Sequence, residues 1–191
     1  MLSDRQQQII EASVGLIDRK GIQGFTIKNL SKELGISEPG IYRHFESKFE
    51  ILSTILEVFK LQLKEYQTLL KSKNNPPEER IMGFFDSVFR VFDSNPAVVS
   101  VIFAEEIFQN EKRLTKKIDE IQGINSGIMK ELLLEINSGS NKSQHVDPDM
   151  INLILHGSVR FLVRQWKSSG YSFDLRKKGR KLVSFIIKTM I

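Results

Sequence analysis

Apolar residues recur along the chain at intervals of three and four, the spacing that places side chains on one face of an α-helix. The longest such run consists of Phe49, Leu52, Leu56, Phe59, Leu63, Tyr66 and Leu70. It predicts a long amphipathic helix over residues 48–73. Sustained alternation of apolar and polar positions is absent, and so are the Asn-Gly and Asp-Gly pairs of tight hairpins. The pattern therefore predicts an all-α fold.

Boundary signals divide the helical pattern into nine segments. The predicted N-caps are Thr26, Ser37, Asn95, Asp147 and Asp174, and the predicted stops are Gly21 and Gly35. The helices are expected over residues 4–20, 26–34, 37–45, 48–73, 81–92, 95–108, 111–137, 147–168 and from 174 to the C-terminus. Two glycines inside the seventh helix, Gly123 and Gly127, indicate a bend or a close helix crossing.

The eighth predicted helix is apolar on two sides. One stripe consists of Met150, Ile154, Gly157 and Phe161, and the other of Ile151, Leu155, Val159, Leu162 and Trp166. One stripe can face the protein's own core, while the other needs a partner, for which a second copy of the chain is the simplest candidate. The predicted homodimer interface consists of Ile154, Gly157, Phe161, Leu182, Phe185, Ile186 and Met190. The alternative is a helix buried wholly within one chain.

Composition narrows the class of protein. The chain has 191 residues, of which 40% are hydrophobic and 27% are charged, as in an ordinary globular protein of one or two domains. It has no cysteine, which excludes disulfides and thiolate sites and fits a reducing compartment. No apolar run approaches the roughly 18 residues of a membrane span, and the N-terminus has no signal-peptide pattern. A cytoplasmic protein without membrane contact is expected.

The net charge of +5 is distributed unevenly. Residues 1–50 carry seven basic and seven acidic side chains, whereas residues 156–191 carry nine basic side chains and one acidic side chain. Bulk charge therefore does not identify the N-terminal segment as a nucleic-acid-binding domain, and that interpretation must depend on a motif. The basic C-terminal segment is either a site for an anionic partner or a solvated helix face.

Residues 25–52 have the pattern of a helix-turn-helix, in which a helix ends at Gly35 and a capped second helix follows. Such a unit places its second helix in the DNA major groove. Thr26 and Ser37 are hydroxyl caps, and helix N-termini present free backbone N–H groups to phosphate. Small residues at Pro39 and Gly40 allow a close approach to base edges. The alternative is an ordinary pair of helices within a small bundle.

The detailed string resembles the TetR family of bacterial transcriptional regulators. The residues that carry the resemblance are Thr26, Leu30, Leu34, Gly35, Ile36, Ser37, Gly40, Tyr42, His44, Phe45, Lys48 and Leu52, with Ser31 as a mild departure where alanine is common. The nine-helix layout is also similar, but the C-terminal part matches by architecture and not by motif. The resemblance implies a DNA-binding domain at residues 1–47 and a helical ligand-binding and dimerisation domain at 48–191.

The resemblance also implies roles for individual residues. Phosphate contacts are expected from Thr26, Tyr42, His44 and Lys48. Residues that reach towards the bases are Lys28, Pro39, Gly40 and Arg43, with Glu38 at a matching position but expected to be solvent-exposed, and Ser37 is expected to cap the recognition helix. For Tyr42, partial packing in the core is the alternative. A dimer would bind a palindromic operator in double-stranded DNA.

Aromatic residues of the C-terminal part are candidates for an effector pocket, as the resemblance suggests. The predicted lining consists of Phe59, Leu63, Tyr66, Phe85, Phe89, Phe103, Phe108, Phe161 and Trp166. The alternative is that these side chains fill a core. Glu105 and Glu106 would favour a cationic ligand if buried, and a solvated helix face is the alternative. His156 is expected to be a hydrogen-bonded core histidine rather than a metal ligand.

Other function classes have little support in the sequence. No phosphate-binding glycine loop, zinc-protease motif or nucleophile elbow is present, so neither an enzyme nor a bound cofactor or metal is expected. The favoured function is a dimeric repressor that is released from its operator by a small, largely apolar ligand. The alternatives are a DNA-binding family member without an effector, with an architectural or division-linked role, and a purely structural interaction module.

Overall fold

The computed structural model describes residues 2–71, 74–103, 112–139 and 147–190, and in these ranges it contains nine α-helices and no strand. The helices are α1 (Asp4–Gly24), α2 (Ile27–Leu34), α3 (Glu38–Tyr42), α4 (Lys48–Lys71), α5 (Pro77–Ser94), α6 (Pro96–Ile102), α7 (Lys112–Gly139), α8 (Pro148–Ser168) and α9 (Leu175–Met190). The all-α prediction is confirmed. The predicted continuation of the sixth helix over residues 104–108 lies outside the described residues. None of the described helices is long and apolar enough to cross a membrane.

Side-chain caps explain where several helices begin. The Thr26 hydroxyl accepts a hydrogen bond from the Asn29 backbone N–H at 3.1 Å, as predicted for the start of α2. The caps predicted for α8 and α9 are also present, because the Asp147 and Asp174 carboxylates accept backbone N–H groups at 2.9 and 2.8 Å. Asn95 lies at the N-cap of α6 as predicted, but its side chain makes no capping hydrogen bond. Pro96 fixes the backbone for the first turn of α6 without that bond.

Two glycines mark the predicted ends of the first helices. Gly21 has φ +67° and ψ 172°, so the backbone leaves the helical conformation inside the range of α1. Gly35 follows α2 with φ +65° in the left-handed region, and it allows the chain to turn directly into α3. Residues with a side chain rarely adopt this region, which explains why glycine occupies both positions.

The chain forms two compact units. The first comprises residues 1–60 and 95–119, and the second comprises residues 61–94 and 120–191. The first unit packs α1 against α2 and α6, with Ile9, Leu16, Phe25 and Val99 fully buried. The second unit packs α9 against α5 and α8, around Phe89, Leu155 and other buried apolar side chains. These units describe packing and not function. The predicted division into a DNA-binding domain at residues 1–47 and a ligand-binding and dimerisation domain at residues 48–191 therefore stays a prediction.

The close helix crossing in the second unit lies at Gly179 and not at the glycines of α7. A Cβ atom added at Gly179 would lie 2.4 Å from Cε2 of Phe89, so α9 packs directly on that ring. A Cβ at Gly123 or Gly127 would meet no atom of the described chain within 4 Å. The described residues therefore contain no close crossing at Gly123 or Gly127, where the sequence indicated a bend or a close crossing.

We expect Gly179→Ala to destabilise the protein. Phe89 is fully buried in α5 and cannot move aside without displacing its neighbours, so the added methyl group overpacks the contact. Overpacking of this kind typically costs about 1–3 kcal/mol of unfolding free energy, which denaturant titration followed by circular dichroism would measure.

Gly83→Ala is the matched control in the partner helix α5. A Cβ at Gly83 has no neighbour within 4 Å, and the position is exposed. Alanine should therefore raise the unfolding free energy by about 0.5–1 kcal/mol through its better helix propensity. If both variants were equally stable, the contact between Gly179 and Phe89 would not be the close crossing described above.

Candidate nucleic-acid interface

Helices α2 and α3 form a helix-turn-helix around a small apolar core. Leu30 of α2 and Ile41 of α3 are fully buried, and Phe45 directly after α3 is 2% exposed. The turn between them is closed by a hydrogen bond from the Ile36 N–H to the Ser31 carbonyl at 3.1 Å. The apolar residues of the motif therefore hold the two helices together, and its polar residues other than the buried Ser31 lie largely outside.

The outer surface of α3 presents the side chains that the sequence analysis assigned to DNA. Tyr42 is 49% exposed, so it does not pack in the core. The exposed residues at and around α3 are Ser37, Glu38, Pro39, Tyr42 and Arg43, while Gly40 and His44 are half-buried. Glu38 is exposed, as expected. This accessible set of donors, cations and small side chains can approach both phosphates and base edges.

The hydroxyl caps Thr26 and Ser37 have a second hydrogen-bonding capacity. Each oxygen accepts a backbone N–H from its own helix, with Asn29 donating to Thr26 at 3.1 Å and Gly40 donating to Ser37 at 3.2 Å. Because the caps use only lone pairs, each O–H group can still donate to an acceptor outside the protein. Both residues are exposed, and Lys28 is an exposed cation two positions after Thr26.

Lys48 lies at the first residue of α4, immediately after the motif. Its ammonium group lies 5.3 Å from the centre of the Phe25 ring, a cation–π contact, and partial burial lowers the pKa of Lys48. The start of α4 is fixed by Ser47, whose hydroxyl accepts the Glu50 N–H at 3.2 Å. The Glu50 carboxylate in turn accepts the Glu46 N–H.

The cap at Ser47 was not predicted, although the sequence carries its signal as Ser47-x-x-Glu50. A second link holds the end of the motif on α1. The Gln6 side-chain amide donates to the His44 carbonyl at 3.2 Å, so the backbone that carries the half-buried His44 side chain is fixed from two sides.

The two stripes of α8 differ in exposure as the sequence predicted. The stripe from Ile151 to Trp166 is buried, with each of its five members at most 6% exposed. On the other stripe Phe161 is 62% exposed, and Leu153, which the sequence analysis did not assign, is 67% exposed. Its position three residues after Met150 is the signal that could have found it. The exposed side of α8 is therefore an apolar face that the second unit leaves uncovered.

The remaining candidates for the dimer interface divide between exposed and buried positions. Phe185 of α9 is 66% exposed, and Gly157 is also exposed. Ile154, Leu182 and Met190 are half-buried, and Ile186 is buried within its own unit. We name the exposed apolar side chains Met150, Leu153, Phe161 and Phe185 the outward stripe.

The candidate pocket residues are mostly buried. Phe59 of the first unit and Leu63, Phe85, Phe89 and Trp166 of the second unit are at most 5% exposed, and Phe103 of the first unit is half-buried. Phe161 differs, because its 62% exposure places it on the outward stripe rather than inside its unit. Phe108, Glu105 and Glu106 lie outside the described residues, as does the side chain of Tyr66.

Two buried polar groups interrupt the apolar surface of α8. The Asn152 amide donates to the Ser126 hydroxyl at 2.5 Å, and the Nδ1–H of His156 donates to the Asn152 carbonyl at 3.0 Å. His156 also stacks edge-on against Phe85, 5.6 Å between ring centres. The other atoms of these side chains, Asn152 Oδ1 and His156 Nε2, are buried and have no partner among the described residues.

Both of these atoms are hydrogen-bond acceptors. In the neutral ring Nε2 carries no proton, because Nδ1 donates to the Asn152 carbonyl, and burial lowers the pKa of His156, which favours this neutral form. The histidine was predicted to be a hydrogen-bonded core residue, and the hydrogen bond at Nδ1 agrees with that. The second nitrogen, without a partner, was not predicted.

Two family models match the chain, one at its N-terminal part and one at its C-terminal part. The family model described as "Bacterial regulatory proteins, tetR family" covers residues 9–55. A second, described as "YsiA-like protein, C-terminal region", covers residues 46–189. The nucleoid occlusion factor SlmA of Haemophilus ducreyi is 29% identical over 138 residues, which is 69% of this chain and 68% of that protein. SlmA of Glaesserella parasuis is 26% identical over 61% of this chain and 58% of its own length.

Solved structures share the fold. The ketosteroid transcriptional regulator KstR2 of Mycobacterium tuberculosis aligns with a TM-score of 0.85 at 18% identity, over 98% of this chain and 95% of that chain. The transcriptional regulator FadR from Bacillus subtilis, solved in complex with stearoyl-CoA, aligns with a TM-score of 0.78 at 20% identity, over 97% and 98%. The helix-turn-helix geometry, the two family matches and this shared architecture agree. The chain belongs to the tetR family of bacterial regulatory proteins and is a DNA-binding transcriptional regulator.

Proposed function

We propose that the protein is a homodimeric repressor that binds a palindromic operator through α3 and leaves it when a small, largely apolar ligand binds. In this proposal residues 1–47 are the DNA-binding domain, residues 48–191 bind the ligand and the second subunit, and the protein works in the cytoplasm. The observation that carries the DNA-binding part is the exposed polar surface of α3, held by the buried side chains of Leu30, Ile41 and Phe45.

In the proposed complex, phosphates are bound by Thr26, Tyr42, His44 and Lys48, and Ser37 adds a capped helix end. The bases are contacted by Lys28, Pro39, Gly40 and Arg43. Phosphate contacts govern affinity and its salt dependence, with a slope of about −0.9 in log affinity per neutralised phosphate. Because the cations are few, we expect a moderate slope and specificity that depends on ordered local contacts.

The outward stripe supports the homodimer. Exposed phenylalanine and leucine side chains on two neighbouring helices form an apolar patch that an isolated soluble chain rarely leaves in water. Pairing of α8 and α9 with the same helices of a second copy would cover that patch with two-fold symmetry. A two-fold symmetric dimer would then bind a palindromic operator.

Two features of the second unit support an effector. Its core is rich in phenylalanine, with Phe85 and Phe89 almost fully buried. Next to Phe85, the unpartnered acceptors of Asn152 and His156 would each cost about 1–3 kcal/mol if nothing bonded to them. We infer an effector with an apolar skeleton and at least one O–H or N–H donor. The stearoyl-CoA complex of the structurally similar FadR makes a fatty-acyl ligand the first probe.

A second candidate function is DNA binding without an effector. The match to nucleoid occlusion factors favours it, because those relatives are named for a role other than ligand-controlled transcription. In that case the acceptors of Asn152 and His156 would be satisfied by buried water. Ligand-dependent release from DNA distinguishes the two functions.

Tyr42→Phe should weaken operator binding by about tenfold or more, because a hydrogen bond to a charged group is worth roughly 1.5–3 kcal/mol. The operator is first recovered by selection from a random duplex pool, where a palindrome is expected, and affinity is then measured by fluorescence anisotropy. The half-exposed ring is retained, so the melting temperature should not change. Thr68→Val, which removes an exposed hydroxyl from the second unit, is the control. Equal affinities of the two variants would remove Tyr42 from the interface.

Phe161→Glu should convert the dimer into monomers at micromolar concentration, because it places a charge in an apolar interface. Leu61→Glu is a matched control, since Leu61 of α4 is 64% exposed and lies off the outward stripe, and it should stay dimeric. Sedimentation velocity measures both variants. A monomeric wild-type protein, or a dimeric Phe161→Glu variant, would contradict the proposed interface.

Stearoyl-CoA should raise the melting temperature and release the operator, whereas coenzyme A alone should leave the operator bound. His156→Phe keeps a ring against Phe85 but removes the Nε2 acceptor, so we expect about threefold to tenfold weaker ligand binding, consistent with one hydrogen bond. The free variant should be at least as stable as the wild type, because a buried acceptor without a partner is gone. If neither stearoyl-CoA nor a panel of fatty alcohols and fatty amides released DNA, the second candidate function would be favoured.

A further inference from the structure

A groove on the second unit runs between α5 and α9 and has a volume of about 630 Å³. Its lining residues are Asp93, Asp174, Arg176, Lys177, Arg180 and Lys181. An adjoining groove of about 480 Å³ shares Arg180 and Lys181. The first groove contains no residue of the outward stripe and none of the candidate pocket residues. Its lining is therefore distinct from both of the sites proposed above, and only the adjoining groove reaches the outward stripe, at Phe185.

The groove is built on a buried carboxylate. The Asp86 side chain of α5 is only 8% exposed, and its two oxygens bind Arg180 Nε at 2.6 Å and Arg90 Nη2 at 3.2 Å. Arg176 Nη2 approaches the same carboxylate at 3.9 Å. Burial alone would raise the pKa of Asp86, but the hydrogen bonds and charges of these guanidinium groups outweigh it and hold that pKa below its usual value.

Three guanidinium groups around one carboxylate leave an excess of positive charge. Lys177 and Lys181 add two further cations at the groove, which together with the arginines outnumber the carboxylates of Asp93 and Asp174, and Asp174 also caps α9 through the Lys177 N–H at 2.8 Å. In addition, the buried Nε of Arg176 has no partner among the residues that the structure describes. The local charge and this donor are both unsatisfied by the chain itself.

The position of these cations on α9 is also unfavourable for the helix. Arg176 and Lys177 lie in its first turn, where the helix macrodipole is positive and acidic residues are normally preferred. No acidic residue lies in that turn, and Asp174 at the cap is the only carboxylate directly before it. A bound anion would compensate the cations and the free N–H groups of the helix end together.

We propose that this groove binds a small phosphorylated molecule. Arginine presents a planar fork of donors that matches two phosphate oxygens. Arg176 and Arg180 are one helical turn apart, and Asp86 holds the Arg180 side chain through a hydrogen bond while it attracts Arg176 at 3.9 Å, so the entropy lost on ordering Arg180 is small. A compact anion fits better than a nucleic-acid backbone, because Asp93 and Asp174 at the groove would repel a continuous row of phosphates.

Isothermal titration calorimetry of the full chain with inorganic pyrophosphate at constant ionic strength tests the proposal. Lys177→Gln combined with Lys181→Gln removes two exposed groove cations that do not contact Asp86, so the groove keeps its structure. We expect at least tenfold weaker pyrophosphate binding. The control combines Lys178→Gln, whose ammonium group lies 4.2 Å from the centre of the Phe173 ring, with Lys64→Gln on α4. It removes the same charge and should bind like the wild type.

Three results would overturn the proposal. The first is that neither pyrophosphate nor phosphate binds the wild-type protein. The second is an equal loss of affinity in both double variants, which would indicate attraction by net charge alone. The third is weaker binding of a random-sequence duplex in the groove variant only, without an effect on pyrophosphate, which would make the groove a DNA contact. The experiment does not use DNA release, so it is independent of the effector proposal.

Discussion

The recognition helix α3 has only five residues, far fewer than the roughly 12–15 that an isolated helix needs to be even marginally stable in water. Its existence therefore depends on burying Ile41 and Phe45 in the first unit and on the cap at Ser37. Apart from Ser37, the residues that stabilise α3 differ from those that remain available for DNA. This separation allows the exposed residues of α3 to vary while the buried residues beneath them maintain the fold.

The same constraint, that apolar surface must be covered, acts differently in the second unit. α8 buries one apolar stripe in its own chain, and its other side carries exposed residues such as Leu153 and Phe161. Burial of one large aliphatic or aromatic side chain is worth about 1.5–3 kcal/mol, so several of them on a face provide a substantial driving force for association. The apolar excess of α8 is thus the physical basis of the proposed dimer.

Exposed apolar residues on α8 indicate surface that needs a cover, whereas buried polar groups in the second unit indicate hydrogen bonds that need a partner. Asp86 is satisfied and strongly bound, whereas Asn152 Oδ1 and His156 Nε2 have no partner among the described residues. Buried polar atoms of native proteins are nearly always hydrogen-bonded, so an exception indicates a partner such as a ligand or a water molecule. Charge and hydrogen bonding therefore distinguish two places in this unit: an apolar interior with two acceptors, and a basic groove around α9.

The amino-acid sequence by itself determined the features that depend on neighbours a few positions away. Helix periodicity, the hydroxyl and carboxylate caps, the turn at Gly35 and the two stripes of α8 all arise from local spacing, and the structure has them where they were expected. The family resemblance had the same origin, because its motif is one continuous segment.

Tertiary structure alone decided the features that join distant parts of the chain. The glycine at a close crossing proved to be Gly179, because only packing brings Phe89 against it, while a Cβ at Gly123 or Gly127 would have no described atom within 4 Å. Asp86 binds Arg180, 94 positions later in the chain, and no periodicity predicts which arginine fills that place. Helix propensity and capping act over one turn, but burial, close contact and charge pairing depend on which surfaces meet in space, and a single sequence does not specify those meetings.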